Sequence, residues 1–264
     1  MLNRIVLLLL FVICLLALIG PSLSSFSYSE IHLEKKNLPP STEYWFGSDD
    51  LGRDLFCRTW WGARVSLTLG LTAALLDCLI GVFWGALAAY VGGWLDELLM
   101  RICDILYAIP SLLLVILLTA LMGPGFKTIL LAITLVGWIN MARIVRAQIL
   151  QIKEMDYVYA AKAFGASTLR IVSRHLIPNA IGPILATTAL TIPTAIFLEA
   201  FLSFLGLGIS APYASWGSMI HEGIGAMQYY PWRLFVPAAA ITVTMFCLDT
   251  LGNSLRNTLD PYES

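Results

Sequence analysis

The stretch Val65–Val91 reads VSLTLGLTAALLDCLIGVFWGALAAYV, in which Asp77 is the one charged residue. An α-helix rises 1.5 Å per residue, so about 20 apolar residues cross the roughly 30 Å hydrocarbon core of a bilayer. Trp60 lies just before the stretch and Trp94 just after it, where aromatic side chains mark the two membrane interfaces. The stretch therefore predicts a transmembrane helix.

The composition of the whole chain is that of a membrane protein. Of its 264 residues, 58% are hydrophobic and 12% are charged, and the mean hydropathy is +0.79. Soluble domains carry about 25% charged residues, so the composition excludes a soluble protein, a disordered chain and a secreted disulfide scaffold. A net charge of −1 gives no bulk attraction to nucleic acid. The five cysteines are scattered and favour neither a disulfide framework nor a zinc site.

Six apolar blocks are long enough to cross a bilayer, so the predicted fold is an all-α membrane protein with six transmembrane helices. The first block also fits a cleaved signal peptide, because Arg4 precedes its leucine run. We expect it to be retained, since it has the length of a span and no Ala-x-Ala cleavage site follows it. The predicted regions are an N-terminal transmembrane helix (1–20), a periplasmic segment (21–64), a transmembrane domain (65–252) with helices over 65–91, 104–122, 128–145, 181–205 and 234–252, a loop within it (147–180), and a tail (253–264).

The distribution of Lys and Arg orients these helices. With the N-terminus inside the cell, the loop 147–180 is cytoplasmic and rich in basic residues, whereas the short outer loops hold only Lys127 and Arg233. The segment 21–64 also carries basic residues, but long segments have little influence on orientation. Both termini, including the tail 253–264, are therefore predicted to be cytoplasmic.

The loop between the fourth and fifth predicted spans has a helical pattern of its own. Asp156 can cap a first helix over Tyr157–Phe164, which Gly165 would end. Ser167 can cap a second helix that runs through Leu176, until Pro178 either interrupts it or marks entry to the next span. Such a hairpin either rests on lipid headgroups or docks a soluble protein, and the helical periodicity leaves both interpretations open.

Two segments of this loop, AAKAFG at 160–165 and HLIPN at 175–179, resemble the EAA loop of ABC importer permeases. Tyr159 stands where the name of that loop places Glu, and the ending from Arg174 onward is typical of the peptide and nickel branch. Three further segments are similar to DppC/OppC-like subunits of this branch: FGSDDLGRD at 46–54, EAFLSFLGLG at 199–208 and LGNSLRNTLDP at 251–261. The resemblance covers nearly the whole chain after Gly20.

The resemblance implies a type I ABC importer permease (MetI-like) fold in the bacterial inner membrane, working by alternating access. It also implies that the loop couples the permease to a cytoplasmic ATP-binding subunit. The residues expected at that contact are Tyr159, Ala160, Ala161, Lys162, Gly165, Ala166, Ser167, Leu169, Arg170 and Pro178.

The same resemblance sets the expected partners. They are a homologous second permease subunit (DppB/OppB-like), two ATP-binding subunits, and a periplasmic or lipid-anchored substrate-binding protein. The sequence contains no GxxxxGK[ST] phosphate-binding loop, so we expect a transport subunit that is not an enzyme and binds no cofactor, with ATP held by the partners.

Four acids lie in or near the predicted spans, where a charge is costly: Asp77, Asp104, Glu199 and Asp249. They either form an ion relay or occupy paired or wet positions inside the bundle. Spans two, five and six offer no basic residue or histidine at matching depth, which favours the second interpretation. Asp104 lies near a predicted interface, and we predict that the other three line the translocation path.

A dense charge cluster, Asp49, Asp50, Arg53 and Asp54, precedes the second span. It is either a solvated, self-paired turn or a contact for the binding protein or the partner permease. Trp216, in a later outer loop, has the same two interpretations. No metal site is predicted.

The resemblance favours di- and oligopeptides as substrate, because the spans contain no His or Cys cluster that would favour a metal. Nickel is the nearest alternative in the same branch, and opines, sugars and antimicrobial peptides remain open. An ion-coupled secondary transporter would need an inverted internal repeat, and a membrane enzyme would need a nucleophile with a base, or a metal pair, at one depth. Neither is evident, since His32, His175 and His221 fall in or near loops.

Overall fold

The computed structural model describes residues 2–209 and 211–259, and within these ranges the ordered elements are helices. The extended pairing in this part is an isolated antiparallel bridge between Ser48 and Asp54. The end of the predicted tail, which includes Asp260 and Pro261 of the C-terminal motif, lies outside the described residues. The helices confirm the predicted all-α class.

The segment 24–54 separates the first two described α-helices, and the later helices follow one another with shorter connections. They are α1 (Leu2–Leu23), α2 (Leu55–Val91), α3 (Gly93–Tyr107), α4 (Ser111–Met122), α5 (Phe126–Ile152), α6 (Asp156–Ala163), α7 (Thr168–Ile171), α8 (Ile177–Asn179), α9 (Ile181–Phe204), α10 (Trp216–Ile224) and α11 (Trp232–Leu259). Five of them, α1, α2, α5, α9 and α11, are long and apolar enough to cross a bilayer. The pair α3 and α4 meets the same test together, which gives six spans if the pair crosses once.

Several helices run beyond the apolar blocks that predicted them. α2 begins at Leu55, well before the predicted start at 65, because the Asp54 carboxylate accepts hydrogen bonds from the first backbone N–H groups of the helix. α5 continues to Ile152, inside the predicted loop, and α11 continues into the predicted tail. Hydropathy detects the part of a helix that suits hydrocarbon, whereas capping groups decide where the helix starts and stops.

The third predicted span, 104–122, is not one straight helix. α3 ends at Tyr107, α4 begins at Ser111, and their axes differ by 76°. Pro110 lies at the break, where it has no backbone N–H to donate and disfavours helical geometry at the residue before it. α3 also begins earlier than predicted, at Gly93, so the first arm of the bent pair lies mostly outside the predicted range.

α2 is the central helix of the bundle and packs against α1, α5 and α9. Its glycines make the closest approach to α5. A Cβ at Gly81 would lie 2.6 Å from the Cβ of Met141, and a Cβ at Gly85 would lie 2.3 Å from the carbonyl oxygen of Ala142. Small residues at this spacing let two helix backbones meet directly. α2 and α5 therefore form one tightly packed pair.

Two ion pairs fasten α3 to α5. Nε and Nη2 of Arg146 donate to the two carboxylate oxygens of Asp96, each over 2.6 Å. This bidentate arrangement is among the strongest that an arginine forms with a carboxylate. Nη2 of Arg143 donates to Asp104 over 2.9 Å. Asp104 is thus a paired acid on an exposed position of the bent pair.

Candidate functional site

The hairpin, residues 153–180, lies where α5 ends and α9 begins. Gly165 reverses the chain with a φ of +79°, in the left-handed region that favours glycine. Its N–H donates to the carbonyl of Lys162 over 2.9 Å, and the N–H of Ala166 donates to the carbonyl of Ala161 over 3.0 Å. This pair of bonds is the usual glycine-terminated helix end, so Gly165 stops α6 as the sequence predicts.

The capping prediction is confirmed for one of the two hairpin helices. The Ser167 hydroxyl accepts a hydrogen bond from the backbone N–H of Arg170 and caps α7. The prediction for Asp156 is wrong, because Met155 is the N-cap of α6 and makes no side-chain cap. Asp156 is instead the first helical residue, where a carboxylate still interacts favourably with the helix dipole.

Of the two alternatives for Pro178, the structure agrees with entry to the next span, since Pro178 lies just before α9. A π-helical turn, Val172–Leu176, follows α7 and leads into α8, which has Pro178 near its start. The backbone N–H of Ile177 donates to the carbonyl of Val172 across this wider turn. A proline has no N–H for the normal helical ladder, and a π turn is one way to rearrange the ladder around it. The hairpin therefore leads almost directly into α9.

One side of the hairpin is anchored to the bundle. Val158, Ile171 and Leu176 are buried and pack in one apolar cluster with Ile149 of α5 and Ala89 of α2. Burial of a large aliphatic side chain is worth about 1.5–3 kcal/mol. The hairpin is thus attached to the ends of the two most closely packed helices.

The remaining surface of the hairpin is exposed and partly apolar. Phe164 is 91% exposed and Leu169 is 77% exposed. Among the predicted contact residues, those exposed are Tyr159, Ala160, Lys162, Gly165, Ser167, Leu169, Arg170 and Pro178, and those half-buried are Ala161 and Ala166. The predicted set omitted Phe164, although an apolar residue next to the turn glycine was a visible signal.

Polar contacts connect the hairpin with its surroundings. The Tyr159 hydroxyl donates to Glu154, and this hydrogen bond raises the pKa of Tyr159 above its usual value. Nζ of Lys162 lies 5.6 Å from the ring centre of Tyr159 and 6.0 Å from that of Tyr90 on α2. These are cation–π distances. The Tyr90 hydroxyl also donates to Thr168 at the start of α7, over 3.3 Å.

A cavity of about 1000 Å³ opens between α2, the bent pair, α5 and α9, with Arg256 of α11 at its edge. This volume is at the upper end of the range for pockets that hold small organic molecules. Most of the lining is apolar, with the side-chain amides of Asn140 and Gln148 on α5 among the polar groups. The charged residues in the lining are Asp77 and Arg256.

The structure brings one of the three predicted path acids into this cavity. Asp77 lines it, is 2% exposed, and has no hydrogen-bond partner for either carboxylate oxygen. Glu199 is buried outside the lining, where it accepts hydrogen bonds from Ser66 over 2.7 Å and from Ser203 over 2.8 Å. Asp249 is exposed on α11 and does not belong to the lining.

The charge cluster before α2 is more than a self-paired turn. Nε of Arg53 donates to Asp49 over 2.6 Å, and its Nη2 donates to Glu222 on α10 over 3.2 Å. Arg58, 1% exposed on α2, donates to the same Glu222 carboxylate over 2.8 Å. Ligand oxygens of Asp49, Asp50 and Glu222 lie within 4.8 Å of one another, but guanidinium groups already neutralise them. The arrangement is a network of ion pairs.

Asp50 and Asp54 make separate contacts at the edge of this network. Asp50 is exposed and pairs with Arg233 of α11 over 3.1 Å. Asp54 is buried, caps α2 and accepts a hydrogen bond from Ser24 over 2.6 Å. Burial raises the pKa of the Asp54 carboxyl above its usual value, although these hydrogen bonds oppose the shift. The predicted cluster thus joins the segment 21–54 to three helices.

Three charged residues of this ion-pair network were not predicted from the sequence. Arg58, Glu222 and Arg233 were missed because no local pattern pairs charges that lie 164 positions apart, as Arg58 and Glu222 do. Trp216, a predicted outer contact, is 0% exposed, and its Nε1 donates to the carbonyl of Thr59 over 3.0 Å. The structure therefore gives Trp216 a position inside the bundle.

Comparison with known proteins places this architecture in a sequence family. A family model described as "Binding-protein-dependent transport system inner membrane component" matches residues 81–262. The oligopeptide transport system permease protein OppC of Bacillus subtilis is 54% identical over 97% of this chain and 84% of its own length. The dipeptide permease protein DppC of the same organism is 54% identical over 97% and 79%. OppC of Escherichia coli is 40% identical over 97% and 85%.

Solved structures share the fold. An inward-facing structure of the MetNI methionine ABC transporter aligns with a TM-score of 0.62 at 17% identity, over 77% of this chain and 94% of that one. An amino acid ABC transporter solved with histidines aligns with a TM-score of 0.51 at 19% identity, over 72% and 91%. The predicted importer-permease fold is therefore confirmed, and this chain belongs to the family of binding-protein-dependent transport system inner membrane components.

Proposed function

We propose that this chain is one permease subunit of an ATP-driven importer that carries peptides across the bacterial inner membrane. The observation that carries the proposal is 54% identity, over nearly the whole chain, to relatives named as oligopeptide and dipeptide permeases. Both termini and the hairpin would lie in the cytoplasm, as the distribution of basic residues indicates.

The hairpin would dock one of two ATP-binding subunits. Its free surface offers the aromatic side chain of Phe164 and the aliphatic side chain of Leu169, next to the basic Lys162 and Arg170. Exposed apolar side chains with a polar rim are typical of a protein interface. The opposite side is anchored on α2 and α5, so movement of a docked subunit would reach the helices that line the cavity. ATP would be bound and hydrolysed by those partners.

A second permease subunit would cover the open side of the cavity. Tyr107, Leu112 and Phe201 belong to the lining and are 64%, 39% and 42% exposed, so large apolar side chains stand uncovered at the cavity. A homologous subunit facing this surface would enclose a path between two copies of the same fold. Rigid-body rocking of the two halves would then open the path to each side of the membrane in turn. A binding protein would deliver substrate at the α10 end.

Peptides fit the lining better than nickel does. In the part of the chain that the structure describes, the cavity wall contains no His or Cys, the side chains that nickel sites commonly use. It combines aliphatic surface with scattered amide and hydroxyl groups, which accept varied peptide side chains and peptide bonds. Nickel uptake is the second candidate function, and Asp77 would then be the single carboxylate ligand in the cavity lining.

The test is co-purification of the tagged chain with its permease and ATPase partner subunits, in detergent. Gly165→Trp places a side chain on a residue with φ of +79° and open space around it, so it strains the hairpin turn. Gly206→Trp is the matched control, because Gly206 has φ of +77° and equally open space at the far end of α9. Phe164→Ser removes the most exposed aromatic side chain of the hairpin without altering the turn.

We expect the Gly165 and Phe164 variants to lose the ATPase subunits while the Gly206 variant retains them. Purified wild-type complex in vesicles should accumulate peptide only when ATP is supplied on the hairpin side. Equal recruitment by all variants would refute the docking role. Uptake that needs no ATP would refute the importer itself.

A further inference from the structure

The cavity contains one carboxylate whose partner is absent from the described chain. Asp77 lies midway along α2, lines the cavity and is 2% exposed. Neither of its oxygens accepts a hydrogen bond from any described residue. A buried carboxylate without a hydrogen bond or a cation is costly, and in membrane helices such a group usually marks a functional site.

Three other acids near the membrane are satisfied within the chain. Glu199 accepts hydrogen bonds from two serines, and Asp96 is bound by both arms of the Arg146 guanidinium. Asp104 pairs with Arg143. The fold therefore supplies donors to acids that have only a structural role, and Asp77 is the exception among the buried acids of the described spans.

The surroundings of Asp77 keep space for a ligand. A Cβ on Gly137 of α5 would lie 2.2 Å from Oδ2 of Asp77, so the carboxylate rests against a glycine that also lines the cavity. Asn140, one turn further along α5, adds an amide to the same wall. The Asp77 oxygens are covered in this conformation, so a ligand would reach them when the side chain rotates from Gly137 towards the cavity.

We propose that the Asp77 carboxylate binds the α-ammonium group of a peptide in transit, an inference that rests on the proposed function. An ammonium group has three N–H donors and one positive charge, which match a carboxylate with two unpaired oxygens. Every unmodified peptide carries this group whatever its side chains are. Asp77 would thus hold the invariant end of the substrate while the apolar wall accepts the variable remainder. A divalent metal ion offers the same positive charge and is the competing ligand.

The experiment measures direct binding to the complete nucleotide-free complex in nanodiscs, without the binding protein. The probes are tritiated trialanine, tritiated N-acetyl-trialanine and Ni²⁺ alone. Trialanine has no charged side chain, so acetylation removes its one ammonium group. Asp77→Asn removes the charge at nearly constant shape. Asp104→Asn is the matched control, because it removes one acidic charge from an exposed residue outside the cavity lining.

We expect wild type and Asp104→Asn to bind trialanine about 10-fold or more tightly than its acetylated form, as loss of a charge-assisted hydrogen bond predicts. Asp77→Asn should bind both peptides with the weaker affinity. Equal binding of both peptides by wild type would overturn the inference even if the variant did not assemble. Persistence of the preference in Asp77→Asn, or Asp77-dependent binding of Ni²⁺ alone, would also overturn it. ATP-dependent peptide uptake by the same complex tests the proposed function separately.

Discussion

Substitution of Glu222 by Ala tests the ion-pair network that connects α10 to the start of α2. The Glu222 carboxylate accepts hydrogen bonds from Arg58 over 2.8 Å and from Arg53 over 3.2 Å. Arg58 is 1% exposed, and its Nε and Nη1 have no hydrogen-bond partner. Removal of Glu222 therefore takes away the hydrogen-bonded carboxylate of an arginine that cannot reach water.

The expected cost follows from what remains around Arg58. Loss of one partner from a fully buried ion pair costs about 3–5 kcal/mol. Glu222 is one-third exposed, and Asp49 stays 3.5 Å from Nη1 of Arg58, so part of the compensation survives. We therefore expect Glu222→Ala to lower the free energy of unfolding by about 2–3 kcal/mol, below that range. Arg58→Met should cost less, because it leaves no unpaired cation in the bundle.

Equilibrium unfolding of the purified chain in mixed detergent and SDS measures this change. The double variant Arg58→Met/Glu222→Ala completes a cycle, and it should be less destabilised than the sum of the single variants because the two side chains interact directly. Glu43→Ala is the control, since it breaks an exposed pair with Lys35 and should leave stability unchanged. Additive single effects, or a Glu222 variant as stable as the control, would refute the reasoning.

Two further substitutions test other parts of the packing. Gly85→Ala should reduce the yield of monodisperse protein on size exclusion, because the new Cβ would lie 2.3 Å from a carbonyl oxygen of α5. Gly225→Ala is the control: Gly225 has open space around it, so this variant should behave as wild type. Ser66→Ala leaves one Glu199 oxygen buried without its donor and should cost about 1–3 kcal/mol in the same SDS titration. A Ser66→Ala variant as stable as wild type would show that Glu199 does not depend on that hydrogen bond.

The sequence predicts the spans well because a bilayer imposes a length and a composition on each of them. It predicts their ends poorly, since α2 starts at a capping carboxylate, Asp54, that lies outside its apolar block. At the break, the sequence shows only that Pro110 lies within an apolar run. Such a proline bends some helices and terminates others. Which of the two occurs depends on the helices packed around it.

In the candidate site too, features set by neighbouring residues were predictable from the sequence, and features set by residues far apart in the chain were not. The turn at Gly165 was predictable, because a glycine after a helical run has a defined local role. The difference between Glu199 and Asp77 was only partly predictable. Ser203 lies one turn after Glu199 on the same helix, but Ser66, the donor to the other Glu199 oxygen, lies on another helix. Two buried acids look alike in sequence, and only the positions of donors in space show which one lacks a partner. Arg58 and Glu222 were hidden for the same reason.

The tightly packed pair of helices α2 and α5 connects the hairpin to Asp77 and to the cavity. The hairpin packs on the ends of α2 and α5. These two helices approach each other closely at Gly81 and Gly85, and they also carry Asp77 and Gly137. Closely packed helices move as one body, so a displacement of the hairpin should reach Asp77 with little loss. α4 differs, because its one buried side chain in the described structure is Val115 and it joins α3 through the break at Pro110. We therefore expect α4 to be the part of the cavity wall that moves, so that the cavity changes width while the backbone of Asp77 stays with the α2–α5 pair.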